Sequence, residues 1–218
     1  MEEISTKQRF FYALFIPSLL VLTMFFVFVL CSVFDTDITP WGVYPRRMKG
    51  LVGVFTHVFI HADWKHLINN LFSFWILSVA LFYFYHNIAL KVLTFMWLSV
   101  GICIWCFARS SSHIGVSGVI YALAFFLFLS GFLRRHAPLM AISFIVIFLY
   151  GSMVWYLFPW KETEKISWEG HLFGALCGVI LALIYRQQGP QKPVKIWTDD
   201  LDESDPYWED TDDQEKVL

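Results

Sequence analysis

The sequence predicts an all-α membrane protein: six transmembrane helices, with an interfacial or re-entrant segment between the first and second. Three observations predict it. Hydrophobic residues make up 57% of the 218 and charged residues only 16%, against about 25% charged in soluble domains. The charges cluster, leaving long uncharged intervals between them. No stretch alternates apolar and polar residues as a half-buried strand would.

A helix needs about 20 residues to cross about 30 Å of hydrocarbon. The uncharged intervals run to 25 residues between Arg9 and Asp35, 25 between Lys65 and Lys91, and 17 between Lys91 and Arg109. Three more hold 24 residues between Arg109 and Arg134, 25 between Arg135 and Lys161, and 16 between Glu169 and Arg186. They place spans at about 10–34, 67–86, 88–108, 116–133, 139–158 and 171–185. The first is too long for a signal-peptide core and is expected to remain as an anchor. The last is short, which suits a helix whose N-terminal end faces a water-filled hollow.

Between the first two spans lie Pro40, Trp41 and Pro45, then an apolar run over 51–60 ending at His61. Ten residues are too few to span, so this segment is expected to lie against the bundle. Residues 1–188 are read as one membrane core. Beyond it, 189–218 forms an acidic tail with ten Asp/Glu from Asp199 onward and one Lys. Its composition is that of a solvated, disordered segment. Nine Lys/Arg fall on the inner side and seven on the outer if the N-terminus is inside. The positive-inside rule then puts both termini in the cytoplasm.

Polar side chains within a membrane bundle are costly and usually face its interior. Three groups stand out. His57, His61, His66 and Asn70 lead into the second span, Gly115-Val116-Ser117-Gly118 with Tyr121 opens the fourth, and Gly170-His171 with Gly174 and Gly178 opens the sixth. Successive spans alternate direction, so these three starts share one face of the membrane. His171, Gly174, Ala175 and Gly178 form one helix stripe, and Gly118 and Ala122 a second. Small-residue stripes let backbones approach closely, as a serine hydroxyl and an imidazole need to meet. Tyr121, one turn beyond Ser117, is placed to pack its ring on that imidazole. Glu169, two residues from His171, lies on a different helix face and offers no third member. Cys31, Cys103, Cys106 and Cys177 sit in apolar stretches, as packing residues do. A metal reading would use His57, His61 and His66, but the HExxH glutamate is missing. A transporter would need paired intramembrane charges, and the spans carry none. No metal, cofactor or nucleic-acid partner is expected.

These motifs resemble those of the rhomboid intramembrane serine proteases. The resemblance covers roughly residues 50–186 and takes in Thr56-His57, His66-x-x-x-Asn70, Gly115-Val116-Ser117-Gly118-Val119-Ile120-Tyr121 and His171 with Gly174 and Gly178. It implies a six-helix rhomboid-like bundle with Ser117 as nucleophile and His171 as base. His66 and Asn70 would join backbone N–H groups in an oxyanion hole, and Gly115, Val116, Gly118, Tyr121, Gly174 and Gly178 would support the pair. The implied substrates are transmembrane segments of other proteins, cut near the outer surface of a bacterial cytoplasmic membrane. The alternative is a catalytically inactive relative acting in binding or quality control. The chain departs from the family where Val52-Gly53 stand in place of Trp-Arg, and where Ala80–Phe84 lack a usual Glu; the Arg–Glu contact steadying the interfacial loop is therefore expected to be absent. Gly170 replaces the usual Ala before the histidine.

Overall fold

The computed structural model describes residues 6–160 and 166–192 and is helical throughout, with no β-strand among them. The tail expectation falls largely outside the described residues. Helices α1 (Thr6–Val33), α3 (Trp64–Phe84), α4 (Ala89–Phe107) and α5 (Ser117–Arg134) are joined by α2 (Gly53–Thr56), α6 (Ala137–Tyr150) and α7 (Trp168–Ile184). Four of these, together with the continuous stretch Ala137–Leu157, are long and apolar enough to cross a membrane. At 17 residues α7 is shorter, about 25 Å at 1.5 Å per residue.

Helix α5 is the centre of the bundle, packed against α7, α6, α3 and α4. Its buried face runs from Gly118 through Leu123 and Leu127 to Gly131. By contrast α1 and α6 leave most of their apolar surface outward, including Phe11, Phe15 and Phe148. That surface suits hydrocarbon and would be untenable in water.

The segment before α3 contains no span. It forms short turns at Met48–Leu51, Gly53–Thr56 and His57–Phe59, with Gly53, Val54, His57 and Val58 buried. Hydrogen bonds tie it to the α4–α5 connector. Val43 and His113 exchange both backbone hydrogen bonds at 2.9 Å, and the Arg46 N–H donates to the Trp105 carbonyl at 2.9 Å. The Arg46 guanidinium donates to the Ala108 carbonyl at 2.8 Å and to Ser110 Oγ at 3.2 Å, while Trp105 Nε1 donates to the Arg47 carbonyl at 3.0 Å. The loop is therefore fastened to the connector between α4 and α5, which also carries the approach to Ser117.

The fifth expected span, 139–158, is in two parts. Helix α6 ends at Tyr150 and tightens into a 3-10 turn over Gly151–Leu157. Pro159 forces the preceding residue to extend, and Phe158 does so at φ −117°, ψ 153°. The tightened stretch presents two carbonyls sideways, toward α5 and α7.

Candidate active site

The starts of α3, α5 and α7 meet at one end of the bundle. Asp63 caps α3, its carboxylate accepting the His66 N–H at 2.8 Å. This fixes His66 and Asn70, four residues apart, on one face of the first two turns. Ser117 is the first residue of α5, so its N–H is among the helix-start donors that the helix itself does not satisfy. Gly115 leads into it at φ +98°, a conformation that a side chain disfavours. The Gly115 N–H donates to the His57 carbonyl at 2.9 Å. In turn the His57 Nδ1–H donates to the Gly53 carbonyl at 2.8 Å. Ser167 caps α7 by accepting the Gly170 N–H at 3.3 Å, which sets His171 on the first turn. A Cβ at Gly170 would lie 2.9 Å from that capping oxygen.

His171 Nε2 lies 3.1 Å from Ser117 Oγ. On the other side of the ring, the Nδ1–H donates to the Tyr156 carbonyl at 3.1 Å. That bond fixes the tautomer: Nε2 is left with its lone pair toward the serine hydroxyl. Tyr121 stacks on the imidazole at 4.3 Å and 11°, and its hydroxyl donates to the Met153 carbonyl at 2.9 Å. His171 is 5% exposed.

His66 and Asn70 face Gly115, two residues before the serine. A Cβ built on Gly115 would lie 2.9 Å from His66 Nε2 and 3.4 Å from Asn70 Nδ2. Among the described residues no acceptor meets the buried Asn70 Nδ2, and an unmet buried donor costs about 1–3 kcal/mol. Gly174 and Gly178 bring α7 against α5, where added Cβ atoms would strike the backbone of Gly118 and Ala122. Val116, which precedes the serine, is buried. The arrangement thus gathers Ser117, His171, Tyr121, His66, Asn70 and Gly115 around one spot.

Further ties hold the two halves together. His113 Nδ1 accepts from the Ser167 hydroxyl at 2.6 Å while its Nε2–H donates to the Arg109 carbonyl at 3.0 Å. Arg109 Nε pairs with Glu169 Oε1 at 3.5 Å, and the Arg109 guanidinium donates to the Ile166 carbonyl at 2.7 Å. These join the α4–α5 connector to the start of α7. Sequence reasoning passed over them; Ser167 and Glu169 flanking the helix start were the available signal. Burial holds the His113 imidazole below the usual histidine range. It pushes His57 down to about 4 and His61 down to about 3.

These features define an integral membrane protein of the helical-bundle class, with a polar site closed between its helices. A family model, the rhomboid domain, matches residues 49–188. An uncharacterized protein of Mycobacterium tuberculosis is 28% identical over 161 residues, 71% of this chain and 66% of its own length. One from Mycobacterium bovis matches to the same extent. Another from Mycobacterium leprae is 30% identical over 162 residues, covering 71% of this chain and 63% of that protein. The chain therefore spans a little under two thirds of the length of these relatives. It belongs to the rhomboid family, whose members include intramembrane proteases.

Proposed function

We propose that this chain is an intramembrane serine protease acting through a Ser117–His171 dyad. The observation that carries the reading is the 3.1 Å approach of His171 Nε2 to Ser117 Oγ, with the opposite ring nitrogen already committed as a donor. Ser117 Oγ attacks the peptide carbonyl carbon as its proton passes to Nε2. The negative charge that develops on the carbonyl oxygen is met by His66, Asn70 and the Ser117 N–H. Collapse transfers the Nε2 proton to the leaving amine and leaves an acyl-serine. Water, activated by the same nitrogen, then hydrolyses it.

In this reading α1, α3, α4, α5, the stretch from α6 through the 3-10 turn, and α7 are six spans of a core covering residues 1–188. Both termini are cytoplasmic in a bacterial inner membrane, and the Ser117 end opens to the outer face. Residues 189–218 are a separate acidic appendage. The substrates are transmembrane segments of other membrane proteins. Within a bilayer a helix keeps its own backbone hydrogen bonds, so a segment must unwind locally before Ser117 reaches its peptide. Helix-breaking or small residues near the cut favour that step.

The test is cleavage of a panel of transmembrane substrates by purified protein, with labelling of Ser117 by a fluorophosphonate. Ser117→Ala and His171→Ala should each abolish turnover and labelling, and the double variant should be no worse, since the two act as a unit. Chelators should have no effect. Near-full cleavage by Ser117→Ala ends the reading. Stable binding of a membrane protein without any cleavage or labelling points to an inactive relative.

A further inference from the structure

We infer that the Tyr156 main-chain carbonyl is the third member of the proposed catalytic group, holding His171 in place of a carboxylate. The inference rests on the serine-protease reading and adds to it a positioning group on an element that carries neither dyad residue. A serine–histidine pair needs one imidazole nitrogen bare and the other fixed as a donor, a task that a buried aspartate performs in a triad. Among the described residues near His171 in sequence, the one carboxylate, Glu169, is turned to Arg109. The acceptor on Nδ1 is the Tyr156 oxygen at 3.1 Å.

The local sequence explains why that oxygen is available. In a continuing 3-10 turn the Tyr156 carbonyl would accept from the N–H three residues on. That residue is Pro159, which has no N–H. The next donor, the Trp160 N–H, turns back to the Phe158 carbonyl at 2.9 Å. Three residues before Tyr156, the Met153 carbonyl accepts the Tyr121 hydroxyl at 2.9 Å. The 3-10 stretch is therefore tied once to the aromatic ring stacked on His171 and once to His171 itself. A neutral carbonyl orients the imidazole without placing a full charge in the membrane, where an unpaired carboxylate would be costly.

The experiment replaces Leu157 in the full chain, in detergent micelles, by its α-hydroxy acid. The side chain is kept, and the Tyr156 carbonyl becomes an ester oxygen, a weaker acceptor. The same backbone change at Phe158 is the control for loss of an N–H. Two readouts are taken: the fluorophosphonate labelling rate of Ser117, and the ring ¹⁵N shifts of His171, identified by comparison with His171→Gln. The expected result is a single Nδ1–H tautomer in the unmodified protein and a mixture of tautomers in the Leu157 ester. Its labelling should be about fivefold slower, the factor for losing a hydrogen bond of about 1 kcal/mol, while the Phe158 ester behaves as the unmodified protein. An unchanged tautomer in the Leu157 ester overturns the inference whatever the rate, and so does an equal effect of the Phe158 ester. Failure of the unmodified protein to label would instead refute the protease reading, and the tautomer readout still tests the positioning role because it needs no activity.

Discussion

Adding one methyl group at Gly174 should separate the two helices that bear the proposed dyad. A Cβ there would lie 2.9 Å from the Gly118 carbonyl carbon and 3.1 Å from Tyr121 Cβ, with the Gly118 oxygen closer still. Carbon atoms settle at about 3.5–4.0 Å, and two of the three obstacles are backbone that cannot rotate aside. Helices α5 and α7 must therefore part by about 1 Å or more, the carbonyl oxygen setting the distance. The 3.1 Å between His171 Nε2 and Ser117 Oγ then opens to about 4 Å, beyond hydrogen-bonding range. Misplacement on that scale costs on the order of 10²-fold in rate, and overpacking costs about 1–3 kcal/mol in stability. Gly178→Ala provides the comparison. Its Cβ would meet the Ala122 Cα and carbonyl carbon, both at 3.0 Å, one turn farther from the dyad. Both variants should melt lower in detergent, but only Gly174→Ala should lose most of its fluorophosphonate labelling rate. The reasoning fails if Gly174→Ala labels and melts like the parent, or if Gly178→Ala loses as much rate.

His66→Ala and Asn70→Ala should each slow cleavage by on the order of 10²–10³-fold while leaving some activity, because the helix-start N–H groups remain; loss as complete as that of Ser117→Ala, measured as turnover, would contradict the assigned roles. Stability should fall in acid. His57 titrates at 6.5 in the unfolded chain and is pushed down to about 4 when folded, so above pH 6.5 both states are neutral and full stability is kept. As the pH falls from 6.5 toward 4 the unfolded state binds the proton first, and His57 alone forfeits on the order of 3 kcal/mol by the end of that window. Thermal melting at pH 7.5, 6 and 5 checks this, and His57→Gln should flatten the dependence. For topology, single cysteines at Ser111 and Gln188, in a background with the four native cysteines removed, should label from opposite sides of the membrane; labelling from one side would refute the six-span arrangement.

The intervals between charges locate five membrane-length stretches and the shorter α7 to within a few residues, because a membrane admits few charges and sets a fixed length, but they do not foresee the 3-10 turn that ends the fifth. The starts expected at 67, 88 and 116 fall at Trp64, Ala89 and Ser117, where Asp63 and Gly115 supply the boundary chemistry. The i, i+4 spacing of His66 and Asn70, and of Gly174 and Gly178, follows from helix periodicity alone. Alternation of the expected spans placed Ser117 and His171 at a common end, and the two side chains do meet, at 3.1 Å. What the sequence did not reveal is carried by backbone atoms and by contacts between distant elements. Residue identity does not mark the Tyr156 carbonyl as an acceptor, and its freedom depends on Pro159 three residues away and on α6 tightening to bring it beside α7. The absence of Trp-Arg before Thr56 read as a missing anchor, yet Arg46 reaches the carbonyl of Ala108, 62 positions on. Local patterns set the helices and the helix starts at which Ser117 and His171 stand; only their packing decided which main-chain oxygens face the imidazole, because a carbonyl's partner is chosen by three-dimensional neighbourhood and leaves no letter in the chain.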